Sequence, residues 1–132
     1  MPRQQITSPH VAEPAPKLWS NLVRAGDNLY VSGLTARNKD GITIDGNGEY
    51  EQAKIIFTKM KNLVEAAGAS MDDIAKLTIF VTRMDFNKEV WRAREEFFSG
   101  AFPACSLVEV KGLAKPEILV EIEGIAYTGE MH

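Results

Sequence analysis

Cysteine, histidine and surplus positive charge are all scarce in this chain, and each shortage removes a class of function. The single cysteine, Cys105, cannot close an internal disulfide, so nothing points to an oxidising compartment. The two histidines, His10 and His132, sit near the chain ends, and no His, Cys or Asp cluster has metal-ligand spacing. Neither a metal nor another cofactor is therefore expected. Fifteen Lys and Arg against 18 Asp and Glu leave a net charge of −3, which gives no basic footprint for nucleic acid. No run approaches the roughly 20 apolar residues of a spanning helix. The opening Met1-Pro-Arg-Gln-Gln5 lacks the apolar stretch of a signal peptide. The expectation is a cytoplasmic protein without a nucleic-acid or membrane partner.

What remains is an ordinary globular composition of 132 residues, 45% hydrophobic, enough for one core. Residues 1–17 are rich in proline and read as an extended lead-in with a mobile tip. Residues 18–132 read as a single domain. Asn21–Arg24 and Leu29–Ser32 flank Ala25-Gly-Asp-Asn28, a hairpin signal in which Gly26 and Asn28 can take positive φ. Gly33 marks a bulge or a close backbone approach. Residues 38–48 form a turn-rich surface loop. Ala53, Ile56, Phe57, Met60, Leu63, Val64 and Ala67 recur at helical spacing, with Lys54, Lys59, Lys61 and Glu65 mostly on the other side. Gly68 stops that helix. Ser70-Met-Asp-Asp73 carries the capping-box pattern over a short turn. Lys76–Val81 is a strand, Asp85 or Asn87 caps a second helix through about Phe98, and Cys105–Val110 and Ile118–Tyr127 are closing strands. The order β-β-α-β-α-β-β predicts an α+β fold, a mixed sheet with both helices on one face.

The last strand is the informative one. Ile118, Val120, Ile122, Gly124 and Ala126 share a face suited to packing under helices. Leu119, Glu121, Glu123, Ile125 and Tyr127 share the other, which is too apolar for open water and too charged for a dry core. A contact between subunits with polar clefts explains that mixture; an amphipathic exposed face is the alternative.

Several segments then resemble one known family in the same order along the chain. Phe102-Pro-Ala-Cys-Ser-Leu-Val-Glu-Val110 is similar to the Rid (RidA or YjgF) segment that normally reads Phe-Pro-Ala-Arg-Ser. Leu119–Ala126 resembles its closing strand, Leu29-Tyr-Val-Ser-Gly33 its strand ending in Ser-Gly, and Val64–Gly68 with Asp73–Thr82 its central helix and strand. The resemblance implies a chorismate-mutase-like fold, a homotrimer, and a small-molecule cleft at each subunit contact. It implies hydrolysis of reactive imines and enamines with release of ammonia. In that family type, an arginine after Phe-Pro-Ala holds the substrate carboxylate, and a glutamate on the last strand orients water.

Carried over by position, the glutamate is Glu121, and Ser32 and Gly33 are the Ser-Gly pair. Trp19 stands at the aromatic position near the N-terminus, Trp91 at an asparagine position, and Leu34 at a glutamine position. Cys105 replaces the arginine. Cysteine cannot supply the arginine's planar fork of donors, so the resemblance implies a substrate other than the usual amino-acid-derived imines. Each residue keeps a plainer reading. Cys105 could be a small packing residue, since the only histidines lie far off in sequence and a carboxylate beside a thiol raises its pKa. Glu121 is either a general base or a structural carboxylate. Trp19 and Trp91 are either ligand walls or packing. Arg37, Arg83, Arg92 and Arg94 are solvated charges unless one replaces the lost arginine. The hydrolase reading stands beside a non-catalytic ligand-binding or regulatory trimer, and beside an RNA-acting protein that the acidic balance opposes.

Overall fold

The computed structural model describes residues 3–129. His132 and the first two residues, the tip of the lead-in, lie outside that range. Six strands form one mixed sheet: β1 (Gln4–Gln5), β2 (Leu22–Ala25), β3 (Asn28–Leu34), β4 (Ile74–Val81), β5 (Ala104–Glu109) and β6 (Val120–Tyr127), in the order β1-β2-β3-β6-β4-β5. Only the β4–β5 pair is parallel. Helices α1 (Glu49–Ala66) and α2 (Asn87–Glu95) supply the core-side cover. The α+β class and the mixed sheet agree with the sequence.

Helix α1 follows its apolar stripe. Ile56, Phe57, Met60, Leu63 and Val64 are fully buried, each worth about 1.5–3 kcal/mol in water-excluded surface. Two buried polar groups set its position. Glu49 takes a two-pronged ion pair from Arg83 (2.8 and 2.7 Å), which ties the start of α1 to the end of β4. Gln52 accepts from the Leu119 N–H and donates to the Glu117 carbonyl, both at 2.9 Å, which fixes the entry to β6.

Strand β6 lies between β3 and β4, so it is the centre of the sheet. Its burial alternates as its sequence does. Val120, Ile122, Gly124 and Ala126 are buried under the helices, while Glu123, Ile125 and Tyr127 are exposed and Glu121 is half-buried. The exposed apolar side chains Tyr30, Val108, Ile125 and Tyr127 belong to the same open face, with Tyr30 opposite Ile125.

Four details depart from the sequence reading. Gly26 alone of the hairpin pair takes positive φ, at 61°, because the loop between Ala25 and Asn28 is two residues long and Asn28 already pairs within β3. Neither Asp85 nor Asn87 caps the second helix by a side-chain bond; a 3₁₀ turn over Met84–Phe86 leads directly into it. That helix ends at Glu95, well before Phe98, because the chain turns there toward β5. Finally, β1 is an extra edge strand in the lead-in, pairing Gln4 with Arg24 and Gln5 with Val23. The lead-in continues inward, with Val11 in the core. The Ser70–Asp73 capping box and the left-handed Gly68 behave as expected.

Candidate functional site

The site starts from an irregularity in β3. Its pairing with β6 runs Val31 to Gly124 and then Leu34 to Ilе122, so one extra residue bulges out around Ser32 and Gly33. The bulge holds the lead-in: the Ser32 N–H donates to the Asn21 carbonyl (2.9 Å), and the Ser32 hydroxyl donates to the Ser20 carbonyl (2.5 Å). These bonds set the next residue back, Trp19, at the rim. Trp19 is 56% exposed, far more than a packed tryptophan.

Glu121 projects from β6 across the bulge. A Cβ at position 33 would collide with its carboxylate, with Cγ 3.1 Å away, so any other residue there has to push the Glu121 side chain aside, while the backbone conformation itself does not call for glycine. Trp19, Ser32, Gly33 and Glu121 together line an open cleft of about 280 Å³. Partial burial, aided by the negative charge of Glu123, pushes the Glu121 carboxyl above its ordinary value. Among the described residues nothing donates a hydrogen bond to that carboxylate, and no cation pairs with it. A half-buried, unpartnered acid over an irregular stretch of backbone can accept and return a proton at a small reacting group.

The other two sequence candidates lie elsewhere. Cys105 sits on the edge strand β5, level with the buried Leu77, and packs against the core on the helix side. Glu121 is two strands away and faces the opposite side, so within one chain the thiol and the carboxylate do not meet. Trp91 lies on α2, half-buried against the core, with the Arg94 guanidinium 4.3 Å over its ring. Arg83 is occupied by Glu49 and Arg92 by Glu89, while Arg37 donates to the Gly41 carbonyl. None of the four arginines lines the Glu121 cleft. Among the described residues, no three His, Cys, Asp or Glu side chains come together as metal ligands. No helix there is long and apolar enough to cross a membrane.

Residues 10–128 match the family described as endoribonuclease L-PSP. The chain belongs to this family, the Rid superfamily. It is 35% identical over 127 residues to a 2-iminobutanoate/2-iminopropanoate deaminase of Dermatophagoides farinae, covering 94% of this chain and 95% of that one. Among solved structures it resembles the RidA of an Antarctic Psychrobacter (TM-score 0.83, 29% identity, 94% and 98% of the two chains). It also resembles a Rid family protein of unknown function from Yersinia pestis (TM-score 0.85, 31% identity, 95% and 98% of the two chains).

A second feature of this Rid chain was not read from its sequence. Lys59, assigned to the polar side of α1, is instead half-buried, with its ammonium donating to the Thr35 (2.8 Å) and Arg37 (2.6 Å) carbonyls. Burial and the nearby Arg37 charge lower its pKa, against the pull of Asp45. The only signal in the sequence is the run Ile55-Ile56-Phe57, which widens the apolar stripe toward Lys59.

Proposed function

We propose that this chain is a Rid-type hydrolase working in clefts between subunits of a homotrimer, on an imine, enamine or related activated carbon other than the usual amino-acid-derived imines. The observation that carries this reading is the Glu121 carboxylate, raised in pKa and unpartnered over the Ser32–Gly33 bulge. In the reaction, water adds to the C=N carbon while Glu121 takes one of its protons. That proton returns to nitrogen to give a carbinolamine; Glu121 then carries the hydroxyl proton to the amino nitrogen as the C–N bond breaks, so ammonia leaves and a carbonyl product remains. An acid titrating nearer neutrality than a free carboxylate suits both transfers. Backbone N–H groups around Gly33 and Cys105 polarise the reacting group.

The open face supports the assembly. Tyr30, Val108, Ile125 and Tyr127 are each about 40% exposed on one sheet, a patch that suits burial against another copy. The separation of the two residue sets supports the same assembly. Trp19, Ser32, Gly33 and Glu121 lie on one side of the chain, and Trp91 and Cys105 on the other, so in this reading a second subunit brings the two sets into one cleft. With cysteine at the arginine position and two tryptophans nearby, the ligand is more apolar and lacks the usual carboxylate grip.

The test is ammonia release and imine decay on freshly generated 2-iminobutyrate and 2-aminoacrylate, for wild type and Cys105→Arg. Inactive wild type with a gain in the variant supports the altered substrate. An active wild type means another cation holds the carboxylate and overturns it. The family's description as an endoribonuclease makes RNA the other substrate to assay; a net charge of −3 and the acids Glu121 and Glu123 on the open face oppose it.

A further inference from the structure

Beside the Glu121 cleft lies a larger groove, of about 710 Å³. It runs between the lead-in, the loop after β3 and helix α1. Its apolar part comes from Val11, Leu18, Trp19, Leu34 and Ile55. Leu18 is 61% exposed, although a large apolar side chain has every reason to be covered.

The polar part is unusual in its pairing. Three cations, Arg37, Lys39 and Lys59, line the groove; Arg37 lies close enough for its charge to act on Lys59, and none of the three forms an ion pair among the described residues. Lys59 spends two of its three donors on carbonyls, and Arg37 one of its five on the Gly41 carbonyl. The two acids that also line the groove take their hydrogen bonds from neutral partners, Glu13 from Asn21 and Gln5 and Asp45 from Asn38, although the Asp45 charge also acts on Lys59. Two half-satisfied cations at one end of an apolar groove, one of them half-buried, complement a single anionic head on an apolar body.

We propose that this groove is a second ligand site, taking a small acidic amphiphile whose carboxylate lies between Lys59 and Arg37 and whose apolar body rests on Leu18, Leu34 and Ile55. Trp19 and Gly33 line both the groove and the Glu121 cleft, so an occupant here stiffens a wall of the cleft. The site stands on its own geometry and does not require the chain to be a hydrolase.

The experiment is calorimetric titration of the full chain with 4-phenylbutyrate and with 4-phenylbutan-1-ol, together with amide chemical-shift mapping. The carboxylate should bind at least about tenfold more tightly than the alcohol. Lys59→Met should remove that difference while leaving alcohol binding intact, and Leu18→Ser should weaken both. Shifts should centre on Gly41, Ile55 and Lys59. If Lys59→Met fails to fold, Arg37→Gln carries the same test at the surface. Equal binding of the two probes, no binding of either, or shifts confined to Glu121 and its β6 neighbours would each overturn the proposal.

Discussion

The two faces of β6 differ in burial at every step along the strand. On β6, Val120, Ile122, Gly124 and Ala126 are sealed under α1, while Glu121, Glu123, Ile125 and Tyr127, interleaved with them, reach the open side. The backbone is the same; only the parity of the position changes. One face therefore stores stability and the other is free to carry chemistry and contacts. Substitutions at adjacent positions should give opposite phenotypes.

The sharpest contrast is Ile122 against Glu123. Ile122→Asp places an unpaired charge in a fully buried position and should cost more than about 4 kcal/mol, leaving no folded protein by circular dichroism. Glu123→Gln, one residue on, should shift stability by less than about 0.5 kcal/mol. Next comes Ile125→Asp. If the open face joins subunits, this chain stays folded but runs as a monomer by light scattering; a trimer of unchanged size would break the assignment of that face.

Gly33→Val comes third, because its side chain must displace the Glu121 carboxylate. Turnover should fall by roughly 100-fold or more with a stability loss of about 1–3 kcal/mol. Glu121→Gln should lower turnover by about 10²–10⁴-fold through the lost proton transfer, with the fold intact. Its stability effect has a defined sign. The folded state raises the Glu121 pKa, so the ionised form opposes folding at neutral pH, and that opposition fades as pH falls through the carboxylate range. The glutamine variant should therefore melt slightly above wild type at pH 7, with the gap closing toward pH 4. The smallest effect is expected at Cys105→Ser: about 1 kcal/mol or less and no change in pH profile, since the thiol packs among core side chains. A large loss of turnover there would make the thiol a reacting group.

The parts legible in the sequence were those set by short-range periodicity. Helix α1, the parity of β6 and the special status of Gly33 all follow from side-chain spacing or from a residue type that stands alone. The Ser32–Gly33–Glu121 grouping was reachable only through the family resemblance, because those residues are about ninety positions apart and meet by sheet register. Strand β1 was missed because Gln4-Gln5 carries no strand signal of its own; the free edge of β2 imposes it. The second helix is shorter than its apolar spacing predicts, because Phe97 and Phe98 continue that spacing yet pack on Phe57 from beyond its end. Lys59 and its groove were invisible because the lead-in that walls them has no periodic pattern.

The central place of β6 also bears on how the protein is made. Strands β3 and β4 are hydrogen-bonded to the last strand of the described chain and not to each other. Until residues 120–127 are synthesised, the ribosome presents two apolar half-sheets with no bridge between them, and α1 has only part of its floor. Productive closure must wait until residues 120–127 have emerged. During that interval the emerging chain depends on whatever shields apolar surface, and a chain that stops before residue 120 has no route to the native sheet.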